Sequence, residues 1–272
     1  MSNAREKDDA KLRKTQGWPN RPNAGEKMLT ANMLHNREVA SLPLCSSCKV
    51  RELCFGHGAG RAGLRQLDQV VERRFWLEPG GLLYCIGDPF KSLYAIRSGC
   101  LKSSLCNATG REQVAGFHIK GDIVGVGGIS TRNYILTLTA LERSEICEVH
   151  FERLEELAQR IPSVNHRLVE ILARYQGRGY AIGLLLRERS ADARLAGFLL
   201  DFSRRLAVLD CDQFNFKLPM PRSDLASHLA LNASTISKAF ARLEQRGIAK
   251  VSGRAIKLAN VRELQALAAN RA

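Results

Sequence analysis

The sequence predicts an α+β protein in which a cysteine-containing loop, a small β-barrel, one long helix and a winged helix-turn-helix follow one another along the chain. Three observations predict this order. Short apolar runs separated by turn residues fill the segment from about 75 to 150, a helical apolar period follows Pro162, and two short helical patterns begin at Pro221. We therefore divide the chain into segments 1–40, 41–160, 161–190 and 191–272.

The composition limits the classes of function that the chain can have. Its 272 residues are 45% hydrophobic, which is enough for about two domains with ordinary cores. The formal net charge of +14 favours a polyanionic partner. There is no run of about 18 apolar residues and no secretion signal, so we expect a cytoplasmic protein that does not act on a membrane. No combination of acid, base and nucleophile indicates an active site, so we do not expect an enzyme.

The first segment, residues 1–40, predicts a flexible tail. It mixes charged residues, Asn and Gly without a sustained helical or strand period. Its eight basic and five acidic residues give it a weak positive charge.

The second segment opens with cysteines at close spacing. Cys45, Cys48 and Cys54 form a C-x2-C-x5-C pattern, and Cys147 lies far downstream. In an intracellular chain such thiols are better metal or cluster ligands than disulfide partners, because the cytosolic thiol pool keeps them reduced. The pattern therefore predicts a metal centre. We expect the other four cysteines to be small buried apolar residues. They are Cys85, Cys100, Cys106 and Cys211.

The rest of this segment predicts a barrel of short strands. Runs at 82–86, 93–96 and 146–149 have the length and composition of strands, and Gly- and Pro-containing turns separate them at close spacing.

The third segment predicts one helix of about 25 residues, with Ser163 as its N-cap. Its apolar positions recur in steps of three, four or seven residues. They are Val164, Leu168, Leu172, Tyr175, Ile182 and Leu186. A helix cannot bury such a stripe alone, so we expect it to pair with its copy in a homodimer. Packing of the stripe on the barrel of the same chain is the alternative.

The fourth segment predicts a helix-turn-helix. A first helix at 221–229 and a turn at 230–232 lead into a second helix at 233–246, which Asn232 can cap. Strands at 248–251 and 255–258 then form a wing. The second helix of such a motif offers its N-terminal residues to the major groove.

The charge of this region indicates double-stranded DNA as the partner. Residues 222–262 contain eight basic and two acidic residues, a net charge of +6, and such clusters bind phosphates by releasing counterions. The side chains that we expect at the DNA are Arg222, Ser234, Ser237, Lys238 and Arg242.

Taken in this order, the four parts resemble the FNR family of oxygen-responsive regulators within the cyclic-AMP receptor protein superfamily. The resemblance covers about residue 44 to the C-terminus and is strongest in the cysteine spacing and in 93–99, 116–118 and 184–186. It implies that the barrel is a cyclic-nucleotide-binding-like sensor domain. It also implies that a 4Fe-4S cluster is held by Cys45, Cys48, Cys54 and Cys147.

The resemblance further implies a homodimer that binds promoter DNA, contacts RNA polymerase and controls anaerobic or microaerobic gene expression. The intact cluster would favour the DNA-binding dimer, and its loss to oxygen would end binding. Gly110 and Arg111 occupy the place of a family loop that touches RNA polymerase. The alternative is a regulator of the same fold with a structural zinc site, because four thiolates also satisfy zinc, or with a small-molecule effector.

Three departures from the family refine these expectations. The recognition helix has Ser234, Ser237 and Lys238 where the family has Glu-x-x-Ser-Arg, so we expect altered operator reading. Gly179, which the resemblance adds to the dimer interface, stands where the family can have an acidic residue. Without like charges to repel each other, the dimer should survive loss of the cluster better than in other family members. Val126 follows Gly125 where a cyclic-nucleotide site has Glu, so no cyclic nucleotide is expected.

Overall fold

The computed structural model of the chain describes residues 45–106, 112–188 and 190–269. The predicted tail and the predicted polymerase contact at Gly110 and Arg111 lie outside the described residues. Within the described part of the chain, no helix combines the length and apolar character needed to cross a bilayer.

The N-terminal region is a compact loop followed by a helix. Two 3₁₀ turns, Cys45–Ser47 and Arg51–Leu53, precede α1 at Arg61–Val70. The apolar face of α1 is buried through Leu64 and Leu67.

The barrel consists of two four-stranded antiparallel sheets. Its strands are β1 (Val71–Leu77), β2 (Leu82–Tyr84), β3 (Ser92–Ser98), β4 (Cys100–Cys106), β5 (Glu112–Ile119), β6 (Ile123–Val124), β7 (Thr137–Ala140) and β8 (Ser144–His150). The sheet orders are β1-β8-β3-β6 and β2-β7-β4-β5. A single helical turn, α2 at Gly128–Thr131, lies between β6 and β7.

The central strands of the first sheet are buried on both faces. In β3 all residues from Ser92 to Ile96 are buried. One face packs into the barrel, and the other is covered by the cysteine loop, α1 and the helices that follow β8. This double burial explains why the sequence shows continuous apolar runs there rather than alternation.

Two helices connect the barrel to the C-terminal domain, namely α3 at Phe151–Arg160 and α4 at Pro162–Arg187. The prediction of Ser163 as N-cap is wrong, because α4 already begins at Pro162 and Ile161 precedes it without a side-chain cap. Proline suits the first helical position, since it has no N–H there to leave unpaired.

The C-terminal domain is a winged helix-turn-helix with one strand more than the sequence predicted. Its elements are α5 (Ala191–Ala207), β9 (Asn215–Lys217), α6 (Arg222–His228), α7 (Ala233–Gln245), β10 (Ala249–Ser252), β11 (Ala255–Leu258) and α8 (Val261–Ala268). The extra strand, β9, pairs with β11 at the outer edge of the wing. The core of this domain is continuous with Val114 and Phe117 of β5, so the barrel and the domain share one apolar interface.

Candidate functional site

The four predicted cysteine ligands line one small pocket of about 30 Å³. Cys45 opens the first 3₁₀ turn, Cys48 follows it, and Cys54 follows the second turn. The turns close through hydrogen bonds from the Cys48 N–H to the Cys45 carbonyl, at 3.2 Å, and from the Cys54 N–H to Arg51. Cys147 reaches the same pocket from β8, the strand between β1 and β3. A loop and a strand about a hundred residues apart in sequence are thus brought together.

Burial keeps the thiols of Cys45, Cys54 and Cys147 protonated when they have no metal partner. It raises the pKa of Cys54 to about 12. The pKa of Cys45 is also raised, first by burial and then by the neighbouring Asp68. The pKa of Cys147 is raised by burial, although Arg74 opposes the shift. A metal that binds here must therefore displace protons, and its affinity will depend on pH.

A buried arginine faces the sulfurs. Arg74 of β1 is only 2% exposed, and its Nη2 lies 3.8 Å from the Cys45 sulfur. Its Nε has no hydrogen-bond partner. Among the described residues, no carboxylate lies within ion-pair distance of Arg74, whereas Arg97, which lines the same pocket, pairs with Glu145.

A second arginine ties the cysteine loop to the long helix. Arg167 of α4 is 6% exposed, and it donates hydrogen bonds of 3.0 Å to the carbonyls of both Glu52 and Cys54. Its third contact is an ion pair with Glu170, one turn further along the helix. Arg167 therefore couples the conformation of the cysteine loop directly to α4.

The same loop touches the turn between β5 and β6. Gly121 has a positive φ of 87°, and a Cβ there would lie 2.6 Å from Leu53, so only glycine fits. The next residue, Asp122, is 7% exposed and accepts hydrogen bonds from Arg178 of α4, at 2.7 Å, and from Arg205 of α5, at 2.6 Å. Asp122 thus joins the barrel, the long helix and the DNA-binding domain in one ionic contact.

A cavity of about 470 Å³ lies beside this contact, between the barrel, α4 and α5. Its charged lining includes Arg174, Arg178, Arg204 and Arg205. His118 also lines it, and burial lowers the pKa of this histidine to about 4, so the ring is neutral near pH 7. The space beside Gly125 and Val126 is separate and much smaller, about 20 Å³.

The outward face of α4 exposes large apolar side chains. Val169 is 56% exposed, Leu172 36%, Tyr180 66% and Leu184 64%. The helix also carries three glycines at which an added Cβ would meet nothing within 4 Å, namely Gly177, Gly179 and Gly183. This face has no partner within the described part of the chain.

The predicted dimer stripe stays a prediction, and its residues differ in exposure. Leu168 packs into the core beneath the cysteine loop and Ile182 lines the cavity beside the barrel, whereas Tyr175 lines that cavity and is also 38% exposed. Leu172 and Gly179 are exposed, and Leu186 is half-buried. Residues seven apart on an ideal helix are offset by about 20° around the helix axis. A stripe of apolar residues with a seven-residue step therefore shifts towards the adjacent stripe, and the sequence alone does not separate the two.

The recognition helix is built as predicted. The Asn232 side chain accepts a hydrogen bond of 2.7 Å from the Thr235 N–H and so caps α7. Ser234, Ser237 and Lys238 are exposed on its outer face. The Ser237 hydroxyl donates back to a carbonyl of the preceding turn, which leaves its oxygen free to accept from DNA.

Two of the five predicted DNA contacts are held within the domain. Arg242 forms a two-pronged ion pair with Asp192 of α5, at 2.5 and 2.7 Å. Arg222 stacks on the Phe240 ring and donates to the Gly253 carbonyl in the wing. Both brace the motif, so they reach DNA only if they leave these partners.

The prediction for the remaining cysteines is correct only in part. Cys100 is buried, in the interface between barrel and DNA-binding domain, but Cys85 is half-exposed and Cys106 and Cys211 are exposed. Cys106 lies at the end of β4, and Cys211 follows the helix α5.

Sequence reasoning missed Arg74, Arg167 and Asp122. A charged residue in a strand, in a helix or at a turn is usually exposed, and here the cysteine loop and α5 cover them. The available signal was weak: alternation along β1 places Arg74 on the face opposite Phe75, which only the folded loop buries.

The architecture defines a class of protein, a DNA-binding regulator in which a long helix joins a barrel domain to a winged helix-turn-helix. Two domain-family models match this architecture. A cyclic nucleotide-binding domain matches residues 74–161, and a Crp-like helix-turn-helix domain matches residues 193–267.

Similar proteins identify the family. Transcriptional activator protein anr of Pseudomonas aeruginosa is 34% identical over 87% of this chain and 98% of that protein. The fumarate and nitrate reduction regulatory protein of Escherichia coli is 35% identical over 82% of this chain and 90% of that protein. The solved structure of FixK2 from Bradyrhizobium japonicum is 30% identical, has a TM-score of 0.65 and covers 71% of this chain and 96% of its own. The chain belongs to the FNR/Anr family of transcription regulators in the Crp superfamily, and it is not an enzyme.

Proposed function

We propose that the protein is a homodimeric, oxygen-responsive regulator whose 4Fe-4S cluster is held by Cys45, Cys48, Cys54 and Cys147. When bound, such a cluster supplies thiolate-ligated iron whose stability depends on solvent access and on nearby hydrogen bonds. The observation that carries the proposal is the single pocket in which all four sulfurs meet beside a buried guanidinium. The regulated genes would be those of anaerobic or microaerobic growth.

Membership of the FNR/Anr family favours a cluster over a single zinc ion. Zinc draws four thiolates to about 2.3 Å from one point. In the part of the chain that is described, no three His, Cys, Asp or Glu side chains are grouped tightly enough for one metal ion.

The chain itself provides the coupling from pocket to DNA. Arg167 holds the loop carbonyls and lies two residues from Val169 on the exposed face of α4. Ordering of the loop by its ligand therefore fixes the helix that we propose as the dimer interface. A ligand that binds only this arrangement shifts the equilibrium by its differential affinity.

The exposed apolar face of α4 supports the homodimer. Val169, Leu172, Tyr180 and Leu184 follow steps of three, eight and four residues, and a second copy of the helix would cover them. We expect Leu184→Arg to yield monomers in analytical ultracentrifugation. Leu168→Ala is the matched control, because this side chain packs within its own chain and its loss should lower stability but leave the dimer. Monomers from both variants, or dimers from both, would contradict the interface.

The deciding experiment is anaerobic purification of the full chain. We expect a coloured protein with about four iron and four sulfide ions per chain, which binds promoter DNA before but not after exposure to air. Cys147→Ala should lose iron, sulfide and DNA binding together. Cys211→Ala, an exposed cysteine away from the pocket, should lose none of them. Zinc without sulfide would show the structural zinc alternative to be correct.

We also propose that the operator differs from the usual one of the family. Ser234, Ser237 and Lys238 are the exposed residues at the start of α7, and Ser is unselective while Lys is a point charge. Selection of binding sites from random duplexes should return a different or degenerate half-site. Recovery of the standard family half-site would contradict this proposal.

Contact with RNA polymerase is proposed from the family position of Gly110 and Arg111. If the loop activates transcription, Arg111→Glu should change transcript yield in a purified system without changing DNA affinity. An equal yield would remove this contact from the proposal.

The second candidate function is response to a small molecule, which the cavity of about 470 Å³ favours. The family position beside Gly125 has Val126 and only about 20 Å³ of space, so cyclic AMP should give no heat in calorimetric titration. Metabolite-dependent DNA binding in protein that holds no cluster would favour this candidate over oxygen sensing.

A further inference from the structure

The buried arginine in the cysteine pocket differs from every other arginine around it. Arg73 pairs with Glu148, Arg97 with Glu145 and Arg167 with Glu170. Arg74 is more deeply buried than any of these and has no carboxylate within ion-pair distance among the described residues.

An isolated buried charge is strongly unfavourable. Arginine cannot lose its proton at any pH that a protein experiences, so the charge cannot be removed by titration. Burial without a counter-charge costs several kcal/mol in proteins, in the order of magnitude found for broken buried ion pairs. The groups that face Arg74 are the sulfurs of Cys147, Cys45 and Cys48, and its Nε has no hydrogen-bond partner among the described residues.

We propose that Arg74 is the positioning residue that supplies the counter-charge for the metal-bound thiolates of this pocket. The inference rests on the proposed function, because only ligation by a metal turns the four thiols into anions. Bound thiolates satisfy the guanidinium both as counter-ions and as hydrogen-bond acceptors. Neutral thiols are only weak acceptors and carry no charge, so Arg74 destabilises the pocket when the cluster is absent.

This assignment makes the two states of the chain respond in opposite directions to the same substitution. Removal of the charge should stabilise the empty protein and weaken the loaded one. If Arg74 merely fills space, its substitution would stabilise both states or destabilise both. The sign of the effect in the empty protein therefore separates the two roles, without reference to DNA binding.

The test compares Arg74→Met, Arg74→Lys and Arg73→Met with the parent chain. Met keeps the length of the buried stem without charge, and Lys keeps the charge without the planar fork. Arg73 is the matched control, because it neighbours Arg74 in β1 but pairs with Glu148. Each full-length chain is studied empty, after chelation, and loaded, after anaerobic reconstitution with iron and sulfide.

For Arg74→Met we expect the Tm of the empty protein to rise by about 3 °C or more. We expect the visible absorbance of the loaded protein to decay in air at least fivefold faster than in the parent, on the order of the second-shell effects known for metal sites. Arg74→Lys should have a Tm and a decay rate between those of the parent and those of Arg74→Met. Arg73→Met should lower the Tm of both states and leave the decay rate unchanged.

Two results would overturn the inference. One is a lower Tm of empty Arg74→Met, which would make Arg74 a packing residue. The other is equal decay rates of the loaded parent and variant. If the parent itself takes up no iron and sulfide, the proposed function fails, and that outcome is distinct from both.

Discussion

Two buried charges on the barrel, Arg74 and Asp122, are surrounded in different ways. Asp122 receives two guanidinium groups and the Ile119 N–H, so every need of its carboxylate is met by the chain. Arg74 faces three sulfurs and no carboxylate within the described residues. The junction at Asp122 is complete in the empty protein, whereas the pocket at Arg74 is completed only by something that makes the sulfurs anionic.

This difference suggests a division of labour. On our proposal, the junction would hold the DNA-binding domain against the barrel with or without a cluster, whereas the pocket would change with its ligand. Leu53 of the cysteine loop packs on Gly121, beside Asp122, so the pocket at Arg74 lies next to the junction at Asp122. The following predictions test that division, from the largest effect to the smallest.

Removal of the carboxylate at the junction should have the largest effect. Asp122→Ala leaves two guanidinium groups facing each other with only the exposed Asp201, 3.9 Å from Arg205, as a counter-charge, so we expect the free energy of unfolding to fall by about 3–5 kcal/mol. Urea denaturation of the empty protein measures it. Arg178→Met, whose side chain is 47% exposed, should cost much less. Equal losses for the two variants would mean that Asp122 is not the centre of the junction.

The junction should also be sensitive to acid through His118. Burial lowers the pKa of this histidine in the folded protein to about 4, from 6.5. Below pH 6.5 the unfolded chain therefore binds a proton that the folded chain does not, and stability falls as the pH drops towards 4. Replacing His118 by Gln should remove up to about 3 kcal/mol of this pH dependence. His166→Gln, at an exposed position, is the control, and an unchanged profile for His118→Gln would contradict the assignment.

The link between pocket and long helix should have an intermediate effect. Arg167→Met removes two charge-assisted hydrogen bonds to loop carbonyls, each worth about 1.5–3 kcal/mol, so DNA affinity of loaded protein should fall about tenfold or more. Iron and sulfide content should stay close to that of the parent. Glu170→Gln keeps the carbonyl contacts and should bind DNA normally. Normal DNA binding by Arg167→Met would show that the pocket signals by another route.

A peripheral ion pair of the junction should have the smallest effect. Lys102 of β4 bridges Glu112 and Asp224 of α6, near the edge of the interface. Lys102→Met should lower the free energy of unfolding by about 1–2 kcal/mol, less than Asp122→Ala, because Glu112 is 44% exposed although Lys102 and Asp224 are largely buried. A loss as large as that of Asp122→Ala would make the two contacts equivalent and the comparison invalid.

Much of the fold follows from local sequence patterns. The helix-turn-helix was predictable because Asn232 caps α7 and the spacing of Ile236, Phe240 and Leu243 gives one buried face. The barrel was predictable from short apolar runs between turns. The long helix was also predicted, but not the face that it buries, since two adjacent stripes on α4 are both apolar and only contact with the barrel distinguishes them.

The sequence by itself determined which chemistry is present: four thiols at a recognisable spacing, a basic recognition motif and an excess of positive charge. The tertiary structure alone decided which buried charges are balanced. Arg74 and Arg73 are adjacent and chemically identical, yet one faces sulfurs and the other a carboxylate, because successive residues of a strand point to opposite sides. Electrostatic balance depends on distances across the fold, and a local pattern contains no information about those distances.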